Sequence, residues 1–130
     1  MQKKKLIILE MANNHMGDVT HGAVIIDEMA AVTAKYPEFE YGIKFQFRNM
    51  DTFIHPAYQD RMDVKYVKRF QETKLTTEEF IDLKEFAEVR GFIPICTGFD
   101  EESIDKIEEL NFPLIKVASC SFTDWPLLNR

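Results

Sequence analysis

Two lysines lie inside segments that otherwise consist largely of apolar, strand-forming residues. Lys44 stands within residues 42–47 (GIKFQF) and Lys116 within residues 114–119 (LIKVAS). Lysine is almost never fully buried without a partner, because an unpaired ammonium in an apolar interior is costly. Two such lysines that face one cavity would form a binding site for an anion. The alternative is that each lysine extends to solvent from a strand end and pairs with Glu10.

Hydrogen-bonding side chains also stand at the ends of three strand-like segments. Glu10, Thr97 and Ser119 each stand at the last position of such a segment. A single Ser or Thr there is most often an ordinary capping or turn residue, and Glu10 could either orient a hydroxyl or water or merely neutralise Lys44. Active sites of parallel barrels form where the carboxyl ends of the strands meet. Four strands that each deliver a polar group to that edge therefore predict a site.

Four strands are predicted to position these side chains. They are short, rich in Ile, Val, Leu or Phe and bounded by polar residues, as is typical of parallel strands covered on both faces. Alternation along the second strand puts Lys44 and Gln46 on one face, opposite Ile43, Phe45 and Phe47. The predicted strands are residues 6–10, 42–47, 92–97 and 114–119.

Helices are predicted between the strands. The first presents an apolar face at helical spacing. The second begins with a capping box at Thr76 and Glu79 and ends at Gly91, and the third begins with Asp100 as its N-cap. A fourth begins near Trp125. The apolar face of the first helix comprises Ile25, Met29, Val32 and Tyr36.

Alternation of strands and helices predicts the fold class. A β-α-β-α-β-α-β order indicates an α/β fold with a parallel sheet and right-handed crossovers. Strands that begin at residues 6, 42, 92 and 114 have the spacing of the first half of a (β/α)8 TIM barrel, which has roughly 250 residues in all. An open four-stranded α/β sheet is the rival. With 130 residues, the chain holds at most one domain.

The connection between the second strand and the second helix, residues 48–74, is unusually long. Loops above about 12–15 residues are uncommon and often functional. This one is rich in Lys and Arg, and in a barrel it would lie on the face where active sites form. It is predicted to be either a lid or a family-specific insertion with a short surface helix around residues 64–71.

Composition narrows the classes of function. Lys and Arg total 16 against 22 Asp and Glu, a net charge of −6, which argues against a nucleic-acid-binding protein. The apolar run at residues 6–9 is too short to cross a bilayer. The basic start at residues 1–5 is not followed by the apolar stretch and cleavage site of a signal peptide. We therefore expect a cytoplasmic protein with no membrane or nucleic-acid partner.

The remaining reactive side chains give weaker indications. Cys96 and Cys120 match no metal or redox spacing, so both are expected to be reduced thiols. His15 lies in the turn at residues 13–17 (NNHMG) and could act as a proton shuttle or metal ligand, although a lone histidine there more often hydrogen-bonds its own loop. No spacing in the chain predicts a complete metal site.

Five short motifs, in order, resemble those of the sialic acid synthase (N-acetylneuraminate synthase) family. EMANNHMG at residues 10–17 resembles its E-I-G-x-N-H-x-G, and KFQ at 44–46 its K-F-Q. CTGFD at 96–100 resembles S-T-P-F-D, KVAS at 116–119 resembles K-I-A-S, and PLL at 126–128 resembles the end of N-x-P-L-L. Each motif alone is weak, but five in register span essentially the whole chain.

The resemblance implies a fold and an activity for the complete protein. The family has a TIM barrel followed by a small antifreeze-like domain, so residues 1–130 would be the N-terminal part of the barrel, without its second half or the antifreeze-like domain. Family members are transferases of carbohydrate biosynthesis that condense phosphoenolpyruvate with an N-acetylated or modified hexose, such as N-acetylmannosamine, into a nine-carbon keto acid.

The resemblance also implies roles for particular residues. Glu10 would be catalytic, at the sugar or water end of the site. A divalent metal, Mn or Mg, would be held by histidines of later strands, so its ligands are expected outside this chain. Gln46 and Ser121 would contact the sugar. The residues implied to bind phosphoenolpyruvate are Lys44, Thr97, Lys116 and Ser119.

Departures from the family pattern concern the acceptor sugar. Cys96 and Gly98 replace a serine and a proline, which alters the turn, and Ser121 stands where the family has a glutamate. If the chain continues extended beyond Ser119, Ser121 points to the same side. Loss of that carboxylate, together with the basic residues of 48–74, favours a phosphorylated or otherwise modified aldose.

Two other functions stay open at this point. A non-catalytic fragment or anion-binding module would keep the pocket without turnover, since four strands cannot close an eight-stranded barrel. Another phosphate-binding TIM-barrel condensing enzyme would share the anion site. We expect the 130-residue chain alone to be inactive and to associate with a second copy, as a homodimer or by self-association, through its uncovered apolar surface.

Overall fold

Four strands alternate with helices in the computed structural model, which describes residues 3–130. The strands are β1 (Leu6–Ala12), β2 (Glu40–Phe47), β3 (Ile93–Gly98) and β4 (Leu114–Ile115). The helices are α1 (Val19–Thr33), α2 (Met50–Phe53), α3 (Lys65–Glu72), α4 (Thr77–Val89), α5 (Glu101–Glu109) and α6 (Trp125–Leu128). Single 3-10 turns occur at Pro56–Tyr58 and Ser119–Ser121.

The sheet is parallel, and its strands follow the order of the chain, β1-β2-β3-β4. A doubly wound sheet reverses direction at a switch point, so its strand order departs from the sequence order. A sequential order with a helix after each strand is the arrangement of a TIM barrel. The predicted α/β fold, the first half of a (β/α)8 barrel, is therefore confirmed.

The main core lies on one face of this sheet. Ile43 and Phe45 of β2 and Cys96 of β3 are buried there against Phe80 of α4 and Ile107 of α5. Phe45, Phe80 and Phe112 also meet one another with ring centroids 5.7–6.3 Å apart, within the range of favourable aromatic contacts. Because the apolar side chains of β2 face these helices, its polar residues lie on the opposite face, as predicted.

Local signals fixed the helix ends correctly. Thr76 accepts a hydrogen bond from the N–H of Glu79, whose side chain accepts one from the N–H of Thr76, a complete capping box. Asp100 caps α5 by accepting the N–H of Ser103. Gly91 follows α4 with φ +86°, the left-handed conformation that glycine adopts without strain.

The predicted buried face of α1 is partly wrong. Val32 is 55% exposed, and Tyr36, beyond the end of the helix, is 51% exposed. The fully covered positions are instead Gly22 and Ile26. A side chain at Gly22 would stand 2.9 Å from Leu83 of α4, so the glycine lets the two helices approach closely and turns this face inward.

The fourth strand is shorter than predicted. β4 comprises only Leu114–Ile115, although the N–H of Lys116 still donates to the carbonyl of Cys96 at 2.9 Å. Within the described chain β4 pairs with β3 alone, so no second neighbour holds the following residues extended. The backbone turns instead, and the N–H of Ser121 bonds to the carbonyl of Ala118.

Residues 48–74 form a small folded unit rather than an open loop. Met50, Ile54 and Val67 are its buried centre, and α3 confirms the helix predicted at residues 64–71. The N–H of Asn49 donates to Asp100 at 2.9 Å and to Ser103 at 3.2 Å. The unit is thereby fixed to the start of α5, at the carboxyl end of the sheet.

Apolar side chains are exposed along both outer strands. Ile7 and Ile8 of β1 are 37% and 49% exposed, and Leu114 and Ile115 of β4 are 41% and 48% exposed. These are the edges to which further barrel strands would add. No helix among residues 3–130 has the length and apolar character needed to cross a membrane.

Gly17 joins the turn after β1 to the 48–74 unit. Its φ is +74°, and a Cβ there would stand 2.7 Å from the carbonyl oxygen of Glu72. Gly91 has a similar φ of +86°, but a Cβ there meets nothing within 4 Å. Both glycines therefore need a left-handed backbone conformation. Only at Gly17 is there also no space for a Cβ.

Substitution of these glycines separates the two requirements. We expect Gly91→Ala to lower the free energy of unfolding of the protein by about 1–2 kcal/mol, the cost of a left-handed alanine. Gly17→Ala should cost measurably more, because the backbone of Glu72 must also move. Urea unfolding of both variants measures the difference. Equal losses would contradict the close approach.

Candidate active site

An ion pair lies on the polar face of the sheet, where β1 and β2 run side by side. Glu10 and Lys44 are register partners, and the Lys44 ammonium lies 2.6 Å from a Glu10 carboxylate oxygen. Lys44 as a residue is only 9% exposed, whereas the Glu10 side chain is 48% exposed. The pairing considered from the sequence is therefore present, and it leaves the carboxylate open to solvent beside a buried cation.

Thr97 lies on the same face, one strand further along. Register places Lys44 beside Ile95 and Gln46 beside Thr97, and side chains two residues apart share a strand face. Thr97 is 1% exposed, and its hydroxyl has no hydrogen-bond partner among the described residues. Buried hydroxyls are normally bonded, so this one is available to a ligand.

Lys116 lies two residues beyond Leu114, which pairs with Ile95. The register thus continues onto the polar face that carries Lys44. Lys116 itself is exposed and lies past the end of β4. The two lysines are consequently on one side of the sheet, with different burial.

Ser119 and Ser121 do not point the same way, contrary to the prediction. Residues Ser119–Ser121 form a 3-10 turn, in which alternate side chains diverge. Ser119 is exposed and Ser121 is 5% exposed, with its hydroxyl 3.8 Å from the Cys120 sulfur. The expected extended rim is absent at this point, because the chain turns after β4.

Gln46 and Arg48 continue the polar face beyond Lys44. The Gln46 side-chain oxygen accepts a hydrogen bond from Nη1 of Arg48 at 3.0 Å. In the sequence, Arg48 is only one of several basic residues in 48–74. The alternation of Lys44, Gln46 and Arg48 could have identified it.

A cleft of about 350 Å³ opens at the carboxyl ends of β1 and β2, a volume within the usual range for small-molecule sites. Asn13, His15, Gln46 and Arg48 line the cleft. The 48–74 unit, the start of α4 and α5 also contribute, with Phe70, Thr73, Lys74, Thr76, Thr77, Glu102 and Lys106 among the lining residues.

His15 is held by its own turn, in agreement with the simpler of its two interpretations. It is 3% exposed, and its Nδ1 accepts the N–H of Gly17 at 3.1 Å. Burial lowers the pKa of His15, an effect only partly opposed by Glu79. At neutral pH the imidazole is therefore neutral, with Nδ1 occupied and the Nε2 proton as its remaining donor.

Cys96 is a buried thiol without the properties of a nucleophile. Burial raises its pKa to about 12, although the nearby Lys44 charge acts in the opposite direction. Because the thiolate is the reactive form of cysteine, this side chain stays protonated and packs in the core. Cys120 is exposed, and neither cysteine forms a disulfide.

Among the described residues, no three His, Cys, Asp or Glu side chains are grouped so that they could hold a metal ion. The polar face offers instead a buried ammonium, an unpartnered hydroxyl and an open carboxylate. An ammonium and a hydroxyl can bind phosphate or carboxylate oxygens, and a carboxylate can accept a proton or orient a hydroxyl.

The chain is similar to known proteins in sequence. The NeuB family model matches residues 31–130. The chain is 25% identical over 127 residues to human N-acetylneuraminate-9-phosphate synthase, with 95% of this chain and 35% of that protein covered. It is 29% identical over 133 residues to N,N'-diacetyllegionaminic acid synthase of Campylobacter jejuni, with 98% and 39% covered.

Solved structures agree with these sequence matches. A Chromobacterium violaceum protein, assigned by name to spore coat polysaccharide biosynthesis as protein E, superposes with a TM-score of 0.91 at 52% identity, with 97% of this chain and 37% of that chain covered. The N-acetylneuraminic acid (sialic acid) synthetase of Leptospira borgpetersenii, solved with citrate, gives a TM-score of 0.74 at 28% identity, with 97% and 40% covered. The chain thus spans little more than a third of the length of these relatives.

The buried imidazole predicts a pH dependence of stability. Because the folded-state pKa of His15 lies below its ordinary value near 6.5, the unfolded chain binds the extra proton first. Stability should fall as the pH decreases from about 6.5 toward the lowered folded value. His15→Asn keeps an acceptor for the Gly17 N–H but does not titrate. The difference in melting temperature between parent and variant should therefore shift in favour of the variant below pH 6.5, and a constant difference would contradict the assignment.

Proposed function

The chain belongs to the NeuB family, and we propose that the protein containing it condenses phosphoenolpyruvate with an aldose to form a nonulosonic acid. The human, Campylobacter jejuni and Leptospira borgpetersenii relatives are named as synthases or synthetases of such acids, which supports a carbon–carbon bond-forming transferase. The observation that carries the proposal is the arrangement around Lys44, where a buried ammonium and the unpartnered hydroxyl of Thr97 share one face of the sheet.

Phosphoenolpyruvate would bind here through its phosphate and carboxylate. Lys44 is pre-positioned by its burial within β2, so little side-chain entropy is lost when an anion binds. The Thr97 hydroxyl gains the hydrogen bond that it lacks. Lys116 and Ser119, exposed at the end of β4, would complete the contacts from the adjacent strand. Fixed donors in a site that excludes water stabilise developing negative charge strongly.

Glu10 would act at the other reactant. In the structure its carboxylate bonds the Lys44 ammonium and is otherwise open to solvent. When the ammonium shifts toward phosphoenolpyruvate, the carboxylate can accept a hydrogen bond from a sugar hydroxyl or from the water that adds at C2. Gln46 lines the adjoining cleft, where its amide can bond the sugar. In the complete reaction C3 of phosphoenolpyruvate would attack the aldehyde carbon and water would add at C2 of phosphoenolpyruvate. Phosphate would then leave by cleavage of the C2–O bond.

A divalent metal, Mn or Mg, would polarise the aldehyde of the sugar. No group of His, Cys, Asp or Glu among residues 3–130 could hold it, and the family resemblance implies that its ligands lie on later strands. The contribution of residues 3–130 is therefore the anion-binding half of the site and one wall of the acceptor cleft.

A non-catalytic module, in which Lys44 is only the structural partner of Glu10, is the second candidate. It is favoured by the pairing of Lys44 with Glu10, which neutralises the buried charge without any substrate. Under this alternative Lys44 contributes to stability and not to catalysis. The two candidates differ in what happens when both members of the pair are removed together.

Variants of the whole protein distinguish them. Lys44→Met should raise the KM for phosphoenolpyruvate about 10- to 100-fold, because a charge-assisted contact is worth roughly 1.5–3 kcal/mol. The double variant Lys44→Met/Glu10→Gln should show the same rise in this KM, together with a lower kcat because Glu10 is also lost. The KM of each variant is measured from the rate of phosphate release in the presence of an aldose and a divalent metal.

Lys84→Met is the matched control. Lys84 is also 9% exposed and pairs with Glu88 at 2.8 Å, but it lies on α4, away from the cleft. Its loss should affect stability and leave the KM for phosphoenolpyruvate unchanged. Recovery of a normal KM in the double variant would show that Lys44 only neutralises Glu10, and it would reject the proposed contact.

A further inference from the structure

Arg48 is a half-buried cation without an anion. Arg61, Arg90 and Arg130 lie mostly at the surface, and each pairs with an aspartate at 2.6 Å. Arg48 is less accessible than these, yet among residues 3–130 no carboxylate lies within salt-bridge distance of it. Arg69 also lacks an ion pair among these residues, but it is exposed. Arg48 is therefore the unpaired arginine in the less favourable place.

Aromatic rings fix the Arg48 guanidinium in place. Its central carbon lies 3.8 Å from the ring centroid of Phe99, 4.5 Å from that of Phe70 and 5.6 Å from that of Phe53. Rings at these distances attract a cation through their faces. They form no hydrogen bonds with its N–H groups in this arrangement, so the in-plane donors stay available while the group itself is held still.

Most of these donors are unused. A guanidinium has five N–H donors, and Arg48 donates one hydrogen bond, from Nη1 to Gln46. Its Nε is buried without a partner among the described residues. Burial lowers the pKa of Arg48 and Asp100 opposes this effect, but an arginine of this kind stays charged at neutral pH.

Asp100 does not serve as the missing partner. Its carboxylate accepts hydrogen bonds from the N–H and hydroxyl of Ser103 and from the N–H of Asn49. Glu102, the acidic residue of the cleft lining, accepts hydrogen bonds from Asn49 and Thr52. Both carboxylates are thus used to fix the 48–74 unit to α5.

The cleft at Arg48 suits a hydroxylated, anionic molecule. Asn13, Thr76 and Thr77 bring amide and hydroxyl groups to its walls, and Lys74 adds a second cation. Arg48 lies four residues beyond Lys44, about 13 Å along the strand direction at 3.3 Å per residue. The backbone positions of the two cations are therefore well apart, and Arg48 lines the cleft whereas Lys44 does not. This leaves Arg48 for an anionic group other than the one at Lys44.

We propose that Arg48 binds a phosphate or carboxylate carried by the acceptor aldose, and that it thereby selects an anionic sugar over a neutral one. This inference rests on the proposed condensation reaction and assigns the substrate class of its acceptor. The planar guanidinium matches both oxyanions in a two-pronged contact, and the three phenylalanines prevent it from rotating away.

Steady-state kinetics of the whole protein test the assignment. The probes are N-acetylmannosamine 6-phosphate, a hexuronic acid and neutral N-acetylmannosamine, each with saturating phosphoenolpyruvate. Arg48→Met should lower kcat/KM for the preferred anionic sugar by 10- to 100-fold and for the neutral sugar by less than 3-fold. The two anionic probes show whether the group is a phosphate or a carboxylate. Arg48→Lys, which keeps the charge but lacks the fork, should lie between.

Arg61→Met is the matched control, since Arg61 lies in the same 48–74 unit, is exposed and pairs with Asp63. The Arg61→Met variant should leave kcat/KM unchanged for the anionic and the neutral sugar. Because Arg48 also packs against three rings, the melting temperature of each variant is recorded, and the neutral sugar serves as an internal standard for folding. Equal losses for anionic and neutral sugars, or a raised KM for phosphoenolpyruvate, would overturn the inference.

Binding separates this inference from the proposed reaction. If the parent protein releases no phosphate with any aldose, the condensation proposal fails. Calorimetric titration of N-acetylmannosamine 6-phosphate and of the hexuronic acid into parent and Arg48→Met protein then decides the Arg48 site. If the parent binds one of these sugars and the Arg48→Met variant does not, the result supports an oxyanion site. If both proteins bind the sugars equally, or neither protein binds them, the result rejects it.

Discussion

A lysine ammonium held within a sheet of aliphatic strands is the constraint on which the site depends. Lys44 is 9% exposed, and burial of a charge is tolerated only where it is paired and hydrogen-bonded. The parallel register brings Glu10 of the neighbouring strand beside it. The same register puts Thr97 on that face. The hydrogen-bonded register of the strands therefore brings these polar side chains together. The ion pair neutralises the Lys44 charge in the absence of a ligand.

The 48–74 unit adds a second layer to this arrangement. Its own apolar centre and its bonds to Asp100 and Ser103 hold it at the carboxyl end of the sheet. It forms a wall of the cleft and supplies Phe53 and Phe70 around Arg48. Residues 48–74 are longer than a simple connection needs because they form this wall. Two separated cations at one rim are consistent with two anionic reactants, one bound at each.

Local chemistry determined what the sequence could predict. The capping box at Thr76, the cap at Asp100 and the alternation around Lys44 depend on neighbours within a few residues, and all were confirmed. The surroundings of Arg48 could not be predicted, because they come from rings at positions 53, 70 and 99, which only the tertiary fold assembles. The predicted direction of the Ser121 side chain was wrong, because it depends on a turn that forms beyond the last residues of β4 that pair with β3.

The central claim is that Lys44 and Thr97 bind an anion of the substrate. A crystal structure of the whole protein with phosphoenolpyruvate measures this directly. We expect a phosphate or carboxylate oxygen within hydrogen-bond distance of both Lys44 Nζ and Thr97 Oγ1, with Glu10 released from the ammonium. Phosphoenolpyruvate bound elsewhere, with the Glu10–Lys44 pair still at 2.6 Å and the Thr97 hydroxyl still without a partner, would contradict the account.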